Sequence, residues 1–281
     1  MSEVFKKHYK IVEAPLLPTD IAPFLHRYTF FRLVRNYPVS TYVYKAIKTG
    51  YPTLFLKIGK SLESERKRLS WLKKKLLVPS VIAYSSFENQ EFLLLTEVTG
   101  LPADDKKWLA NIASMVSLLA EQVHVIHSLP SIGCPFNKRL DILMTNAEKI
   151  VQHQLLDSRY LSKVYRHRTI NDLYDNLLQL CPAKEYIVFT HGDLCLPNIL
   201  IRQETSAGFV DWGEAGLSDP HRDLALLAYS IRSNFSKKYV KLFFDAYGCQ
   251  VDEQKLEFYK LLDQFTIARC KQNTVLTQPK Q

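Results

Sequence analysis

The sequence predicts an α+β protein in which a small lobe built on an antiparallel sheet precedes a larger, mainly helical lobe. Up to residue 98, short segments rich in β-branched and aromatic residues alternate with turn residues. Beyond that point, apolar residues recur mainly at helical spacing. At 281 residues the chain exceeds the usual size of one compact domain. We therefore expect two lobes, over residues 1–99 and 100–281.

The first lobe is predicted to contain about five strands and one helix. Three strands form a meander between residues 28 and 59, and two more form a hairpin around residues 88–90. These strands are YTFFRLV, STYVYKAI, TLFLKIG, SVIAYSSF and EFLLLTEV. Between the two groups, four leucines at helical spacing predict an amphipathic helix over residues 62–76, which Pro79 ends.

The second lobe is predicted to begin after a hinge at residues 100–102. A long buried helix is expected over 109–126, and helical spacing recurs near 140–155 and 170–180. Three short strands interrupt the helices, with the sequences YIVFT, NILI and AGFV. Helices are expected to resume at Pro220.

Composition excludes several classes of protein. The chain has 37 Lys and Arg against 28 Asp and Glu, and its charge of +9 favours anionic partners such as nucleotides. Five cysteines without a CxxC pair argue against a disulfide framework or a zinc site.

His124 and His127 lack a third metal ligand and are interpreted as ordinary helix residues. Neither a secretion signal nor a run of about eighteen apolar residues is visible, so we expect a cytoplasmic protein without a membrane partner.

The most informative stretch is HGDLCLPNIL, residues 191–200. Asp193 follows one predicted strand and Asn198 opens the next, so both are expected on a loop at one edge of a small sheet. Asp211 arrives where the strand GFV ends, beside that loop. Such a set suits phosphoryl transfer, in which one carboxylate orients or accepts a hydroxyl proton while an amide and a second carboxylate hold Mg²⁺ on the phosphates.

A cation for the nucleotide phosphates is expected from the first lobe. Lys57 is the one lysine centred in a strongly apolar strand, LFLKIG. Glu65 interrupts the apolar face of the predicted helix, three residues after Leu62 and four before Leu69. Because a buried carboxylate requires a partner, we expect Glu65 to pair with Lys57.

Together these features resemble the aminoglycoside phosphotransferases, distant relatives of the eukaryotic protein kinases, and are most similar to the 3'-phosphotransferase (kanamycin kinase) branch. The resemblance runs almost end to end. It rests on LFLKI, VPSVI, LLLTEVTG, IHSLPSIGCP, THGDLCLPNIL, GFVDWGEAG, DLALLAYSI, YVKLFFDAYG and FYKLLDQF. It implies a bilobal protein-kinase-like fold that binds ATP or GTP between its lobes, together with Mg²⁺.

The resemblance also implies roles in catalysis for five residues. Asp193 would be the catalytic carboxylate, and His191 and Asp223 would support the catalytic loop. Asn198 and Asp211 would hold Mg²⁺.

A further set is implied in nucleotide binding. Lys57 would contact phosphate, and Glu65 would orient it. Phe55, which by itself reads as a core residue, would stack on the adenine ring. The segment from Thr96 to Val98 would form the hinge that hydrogen-bonds the edge of the base. The turn that covers the phosphates contains Ser40 and Thr41.

The chain departs from the family pattern on the phosphate side. The turn RNYPVSTY contains no glycine, whereas the family usually has one where Tyr37 or Pro38 stands. The hydroxyls of the same turn are available to compensate. Glu214 replaces an arginine common in this branch, so Lys57 and Mg²⁺ would neutralise more of the phosphate charge.

The acceptor side differs more. Aminoglycosides are polycations, and the 3'-phosphotransferases meet them with acidic residues. Here the stretch 158–168 carries four Lys or Arg and no acid, Ser233 and Asn234 stand where carboxylates are expected, and Gln264 stands where a glutamate is. The candidate acceptor-binding residues are Asp193, Ser233, Asn234, Asp263 and Gln264. The basic stretch is either a solvated helix face or part of a pocket no longer built for a strongly cationic sugar.

The sequence thus predicts a Mg²⁺-dependent kinase that transfers the nucleotide γ-phosphoryl group to the 3'-hydroxyl of an aminoglycoside and confers antibiotic resistance. We expect a monomer or homodimer with a small-molecule acceptor and no nucleic-acid partner. Two alternatives remain: the same chemistry on a neutral or anionic hydroxyl compound, and an inactive nucleotide-binding module. Nucleic-acid binding through the +9 charge is disfavoured because no RNA- or DNA-binding motif is present.

Overall fold

The computed structural model describes residues 9–34, 41–248 and 250–266. The chain divides into two compact units. The first comprises Met1–Gln122 and Cys195–Ala215, and the second comprises Val123–Leu194 and Gly216–Gln281. The first unit therefore extends past residue 99 and includes a later segment that the sequence analysis assigned to the second lobe.

A six-stranded antiparallel sheet dominates the first unit, in the order β1-β2-β3-β4-β6-β5. Its strands are β1 (Tyr9–Val12), β2 (Thr29–Leu33), β3 (Tyr42–Ile47), β4 (Leu54–Gly59), β5 (Val81–Phe87) and β6 (Gln90–Thr96). The five predicted strands are confirmed, including the meander and the β5–β6 hairpin. The sequence analysis missed β1, because four residues with a lysine among them give no clear alternation.

Strand β4 separates the core from a polar face. Leu54, Leu56 and Ile58 belong to the buried apolar cluster of this unit. Since side chains alternate across a strand, Phe55 and Lys57 point to the opposite face. This second face of the strand therefore carries an aromatic ring and, two residues later, an ammonium group.

Helix α1 (Leu62–Leu72) follows β4 and is shorter than predicted. The backbone leaves the helix at Lys73, whose ψ is 127°, and Lys74 has a φ of 73°. Beyond the helix, the carbonyl of Leu77 accepts a long-range hydrogen bond from the amide of Phe209 at 3.0 Å. Tertiary pairing thus overrides the helical spacing of Leu76.

The later segment adds a small sheet to the first unit. Strands β9 (Ile199–Arg202) and β10 (Ser206–Phe209) form an antiparallel hairpin, and β7 (Leu101–Pro102) pairs with β9. The predicted hinge at 100–102 therefore contains a short strand. Gly100 has a φ of 155°, and a Cβ at this position would lie 2.9 Å from the backbone of Leu200, so this close approach requires glycine.

The second unit is mainly helical, as predicted. Helix α2 (Ile112–His127) begins in the first unit and ends in the second. The others are α3 (Leu140–Gln152), α4 (Ile170–Leu180), α5 (His221–Asn234), α6 (Lys237–Tyr247) and α7 (Glu253–Leu262). Two short antiparallel strands, β8 (Val188–Thr190) and β11 (Gly216–Ser218), complete the unit. Among the described residues, no helix combines the length and apolar character needed to cross a membrane.

The sequence analysis missed β11, whose three residues carry no strand signal of their own. Its pairing with β8 is a tertiary effect, in which the Thr190 hydroxyl also donates to the carbonyl of Gly216 at 2.9 Å. The core of the unit lies among the helices. It contains, among others, Leu155, Leu173, Leu177, Phe258 and Leu261.

Candidate active site

The β9–β10 hairpin brings two predicted metal ligands to one end of the small sheet. Ile199 and Phe209 are paired across the hairpin. One residue further out, the amide of Val210 donates to the carbonyl of Asn198 at 3.0 Å. Asn198 and Asp211 therefore leave the hairpin at the same end, within the first unit.

Asp211 has a φ of 68°, in the left-handed region that non-glycine residues rarely occupy. Such a conformation costs on the order of 1 kcal/mol and persists where surrounding contacts enforce it, often at functional sites. The next residue supplies an anchor, since Trp212 is wholly buried and its indole donates to the carbonyl of Phe209 at 3.0 Å. Helix α1 supplies another, because Arg68 Nε donates to the carbonyl of Ala215 at 2.5 Å.

Lys57 joins Glu65 to Asp211 across 154 residues of sequence. Its Nζ lies 2.7 and 2.8 Å from the two carboxylate oxygens of Glu65 and 3.1 Å from Oδ1 of Asp211. The Lys57–Glu65 contact expected from the sequence is present. Burial alone would lower the pKa of Lys57, but the charges of Asp211 and Glu65 outweigh it and raise the pKa above its ordinary value. The lysine is therefore held as a cation.

The Lys57–Glu65–Asp211 cluster contains more negative than positive charge, and its two carboxylates differ in exposure to solvent. One ammonium group contacts two carboxylates, and only 4% of the Glu65 side chain is exposed against 38% of the Asp211 side chain. An accessible carboxylate at the hairpin end from which Asn198 also leaves suits Mg²⁺, which takes one or two protein oxygens and completes its shell with water and phosphate oxygens. The residues present therefore fit a magnesium ion bound together with a nucleotide.

The other nucleotide-binding candidates are distributed along the first unit. Phe55 is half-buried, and Nζ of Lys45 lies 5.4 Å from the centre of its ring. Thr96 is tied to β5, because its hydroxyl accepts from the amide of Ser80 at 2.9 Å. Thr41 is half-buried just before β3, and Ser40 lies outside the described residues.

Val98 is the last residue of the segment predicted to hydrogen-bond the edge of the nucleotide base, and it is buried. A Cβ on Gly208 would collide with its side chain. Strand β10 therefore approaches the Val98 side chain, in the segment after β6, closely.

The second unit holds the start of the HGDLCLPNIL stretch. The amides of His191 and Gly192 each donate at 2.7 Å to Asp223, one to each carboxylate oxygen. The amide of Asp193 lies 3.3 Å from Nδ1 of His191. His191 and Gly192 are buried while Asp193 is half-buried. The structure thus brings His191, Asp193 and Asp223 together and leaves the Asp193 side chain accessible.

Asp223 is wholly buried near the start of α5, yet it is ionised. Burial raises the pKa of the Asp223 carboxyl, but the hydrogen bond and charge of His127, with those of His191, lower it below its ordinary value. His127 Nε2 lies 3.1 Å from Asp223 Oδ2. The sequence analysis interpreted His127 as an ordinary helix residue, and helical spacing alone offered no signal for this contact.

The acceptor candidates in the second unit have different environments. Ser233 and Asn234 are exposed at the end of α5, and Asp263 is half-buried after α7. Gln264 is buried and its side-chain oxygen accepts from the amide of Ser162 at 2.9 Å. The side-chain amide of Gln264 therefore anchors the basic stretch 158–168 through the backbone of Ser162.

The basic stretch borders a cavity of about 570 Å³. Arg159 and Arg168 line it, and Arg159 is paired with Asp157 at 2.6 Å. Arg166 donates from Nε to the carbonyl of Leu161 at 2.9 Å. Two of the four basic residues thus have a partner within the stretch 158–168 or directly before it.

Residues 39–259 match the model of the phosphotransferase enzyme family. The chain belongs to this family. The predicted resemblance and the predicted α+β fold class are therefore confirmed, and the protein is related to enzymes that transfer phosphoryl groups.

Several curated members of the phosphotransferase enzyme family are similar to the chain over most of their length. The aminoglycoside 3'-phosphotransferase of Niallia circulans is 34% identical over 218 residues, which cover 75% of this chain and 83% of that protein. The enzyme of the same name from Streptomyces ribosidificus is 32% identical and covers 84% and 95%. The streptomycin 3''-kinase of Streptomyces griseus is 31% identical and covers 73% and 80%.

Solved structures of the family share the fold. The aminoglycoside-3'-phosphotransferase of type VIII has a TM-score of 0.72 at 30% identity, covering 80% of this chain and 88% of that one. Aminoglycoside phosphotransferase APH(3'')-Id from Streptomyces rimosus, in complex with ADP and streptomycin, has a TM-score of 0.69 at 28% identity, covering 80% and 90%.

Proposed function

We propose that this protein is a Mg²⁺-dependent kinase that transfers the γ-phosphoryl group of ATP or GTP to the 3'-hydroxyl of an aminoglycoside. The observation that carries the proposal is the Lys57–Glu65–Asp211 cluster, whose Asp211 leaves the β9–β10 hairpin at the same end as Asn198. It supplies the ammonium group, the carboxylate and the amide that phosphoryl transfer from a nucleotide requires. Relatives named aminoglycoside 3'-phosphotransferases support the acceptor class.

In this proposal the first unit binds the nucleotide. Lys57, held charged by its two carboxylates, donates hydrogen bonds to the phosphates, and Glu65 fixes its direction. Asn198 and Asp211 hold Mg²⁺, which when bound offsets negative charge on the phosphates. Phe55 stacks on the base, and the backbone of the Thr96 to Val98 segment binds its edge.

The second unit supplies the catalytic loop. Asp193 accepts the proton of the acceptor hydroxyl as that oxygen forms its bond to the γ-phosphorus and the bond to the nucleoside diphosphate breaks. Asp223 holds the loop through the amides of His191 and Gly192. Because these amides are fixed on a buried carboxylate, the Asp193 side chain is positioned before substrate arrives.

Transfer to an aminoglycoside would explain antibiotic resistance. A phosphate group adds a charge of about −1.5 to −2 and removes a hydroxyl donor. Both changes weaken binding to a target that recognises a polycation. Ser233, Asn234 and Asp263 are our candidates for contacts with the acceptor, whereas the predicted contact of Gln264 is disfavoured because its side chain is buried and bonded to Ser162.

A second candidate function keeps the chemistry and changes the acceptor to a neutral or anionic hydroxyl compound. It is favoured by the basic stretch 158–168 and by Gln264, which is buried and bonded to Ser162 rather than turned towards solvent. Neither observation offers negative charge to a polycation. The two candidates therefore differ in the charge that the acceptor must carry.

The test is nucleoside diphosphate release by the purified protein with Mg²⁺ and either ATP or GTP. The acceptors are kanamycin, a 3'-deoxy aminoglycoside, a neutral hydroxylated antibiotic and none. We expect turnover with kanamycin only, and a loss of at least about 1000-fold in Asp193→Ala. Turnover with the neutral compound alone supports the second candidate. Activity in Asp193→Ala equal to wild type refutes the catalytic role.

A further inference from the structure

A chain of hydrogen bonds runs from helix α6 to the catalytic loop within the second unit. Tyr247 Oη lies 2.8 Å from Nδ1 of His127, and His127 Nε2 lies 3.1 Å from Oδ2 of Asp223. The same Asp223 oxygen accepts the amide of His191, and the other oxygen accepts the amide of Gly192. The side chains of Tyr247, His127 and Asp223 are all buried.

The chemistry of the Asp223 carboxylate fixes the direction of the hydrogen bond between it and His127. An ionised carboxylate only accepts hydrogen bonds, so His127 Nε2 carries a proton and donates it to Asp223. Nδ1 of the same ring has the Tyr247 hydroxyl as its partner, so both ring nitrogens are hydrogen-bonded. Two hydrogen bonds to the two ring nitrogens hold the imidazole of His127 in one orientation. One of them comes from Tyr247 in α6, which is not part of the catalytic loop.

We propose that His127 is a positioning residue for the catalytic loop, and that Tyr247 orients it. His127 donates one of three hydrogen bonds to the Asp223 carboxylate, beside those of the His191 and Gly192 amides. The two amides held by that carboxylate immediately precede Asp193 in the chain. The role rests on the proposed function of Asp193 as the group that receives the acceptor proton.

A neighbouring histidine provides an internal control. His124 stacks on the Tyr247 ring, with centroids 4.2 Å apart and planes 10° apart, and its Nε2 contacts the Tyr247 carbonyl. His127 meets the same ring edge-on at 5.9 Å. The two histidines thus share Tyr247 as a partner, and His127 also hydrogen-bonds Asp223.

The kinetic experiment compares His127→Phe, His127→Gln and His124→Phe with wild type. Phenylalanine keeps a ring and removes both nitrogens, whereas glutamine restores a donor towards Asp223. We expect kcat to fall about 10- to 100-fold in His127→Phe, as a misplaced catalytic group does, with KM for the nucleotide within about twofold. His127→Gln recovers most of the rate, and His124→Phe stays near wild type.

A second measurement is independent of the acceptor. Amide hydrogen exchange at His191 and Gly192 should be faster in His127→Phe than in wild type, and unchanged in His124→Phe, because the carboxylate that accepts both amides loses its hydrogen bond from His127. If wild type turns over no acceptor, the proposed function fails while exchange still decides the positioning role.

Two outcomes overturn the proposal. One is wild-type exchange at both amides in a folded His127→Phe protein. The other is an equal loss of kcat in the phenylalanine and glutamine variants, which indicates damage to packing instead. Should His127→Phe not fold, Tyr247→Phe removes a single oxygen and carries the test, with an expected fall in kcat of about three- to fivefold.

Discussion

Two buried lysines, one in each unit, lie in clusters of similar composition but different openness. Lys57 donates to Glu65 and Asp211, and Lys255 donates to Asp219 at 2.6 Å. The Asp211 side chain keeps 38% of its surface exposed, whereas the Asp219 side chain is wholly buried. A carboxylate bonded to a buried lysine is thus accessible in one unit and enclosed in the other.

The hydrogen-bonding capacity of the enclosed Asp219 carboxylate is taken up by donors of the protein. Asp219 accepts hydrogen bonds from the amides of Tyr186 and His221, from His221 Nδ1 and from Lys255 Nζ, at 2.6 to 3.0 Å. With four donors around it, it has no capacity for a ligand. Asp211 shares its lysine with Glu65 and faces solvent. A buried lysine with a carboxylate is therefore not by itself the mark of an active site; accessibility and an excess of negative charge distinguish the two.

The largest effect is expected from Asp211→Asn, which removes charge from the accessible cluster. We expect kcat with kanamycin to fall at least about 1000-fold, because a proposed metal ligand becomes neutral. The free energy of unfolding should change by less than about 1 kcal/mol, since Lys57 keeps Glu65. Steady-state kinetics and urea unfolding measure the two quantities. A normal rate in this variant would remove the functional distinction between the clusters.

Lys255→Met tests the enclosed cluster and should show the opposite pattern. Removing the lysine leaves Asp219 as a buried charge without its cation, which costs about 3 kcal/mol of unfolding free energy. The kcat of the folded protein should stay near wild type. The matched control is Lys241→Ala, because Lys241 pairs with Asp245 at 2.6 Å while 80% of its side chain is exposed. Its loss should cost no more than about 0.5 kcal/mol. Equal costs in the two variants would contradict the assignment.

The smallest effect concerns pH. Burial alone would raise the pKa of Asp219, but the hydrogen bonds from His221 and Lys255 lower it from 3.8 to about 2. A carboxyl whose pKa is depressed by folding stabilises the protein above its unfolded pKa, and that contribution is lost as the pH falls through the folded pKa. The contribution is about 2 kcal/mol. It should be complete above about pH 4 and disappear towards about pH 2.

Urea unfolding of wild type and Asp219→Asn between pH 5 and 2 tests this dependence. Wild type should lose stability more steeply than the variant over that interval, because the variant lacks the titrating group. Parallel curves would show that Asp219 does not carry the depressed pKa.

The strands and helices were largely predictable because their signals are local. Alternation and helical spacing are repeated within a few residues, which is why five strands of the large sheet were found. The exceptions are elements defined by distant partners. Strand β11 exists through its pairing with β8, and α1 ends at Leu72 because the chain beyond it bonds to Phe209.

The candidate site shows the same division. Glu65 on the apolar face of a helix was enough to predict its pairing with Lys57, eight residues away. The contact of Lys57 with Asp211 joins residues 154 apart, and that of His127 with Asp223 joins residues 96 apart. No local period encodes such contacts.

By itself, the sequence determined the α+β architecture, the family resemblance and the set of residues able to perform phosphoryl transfer, because periodicity, motif spacing and side-chain chemistry are properties of the chain. Only the tertiary structure decided that Lys57 contacts two carboxylates, that Asp219 is enclosed and Asp211 accessible, and that His127 hydrogen-bonds Asp223. Those outcomes depend on which distant segments pack together and on how much solvent they exclude, and burial sets the strength of every charge interaction in both clusters.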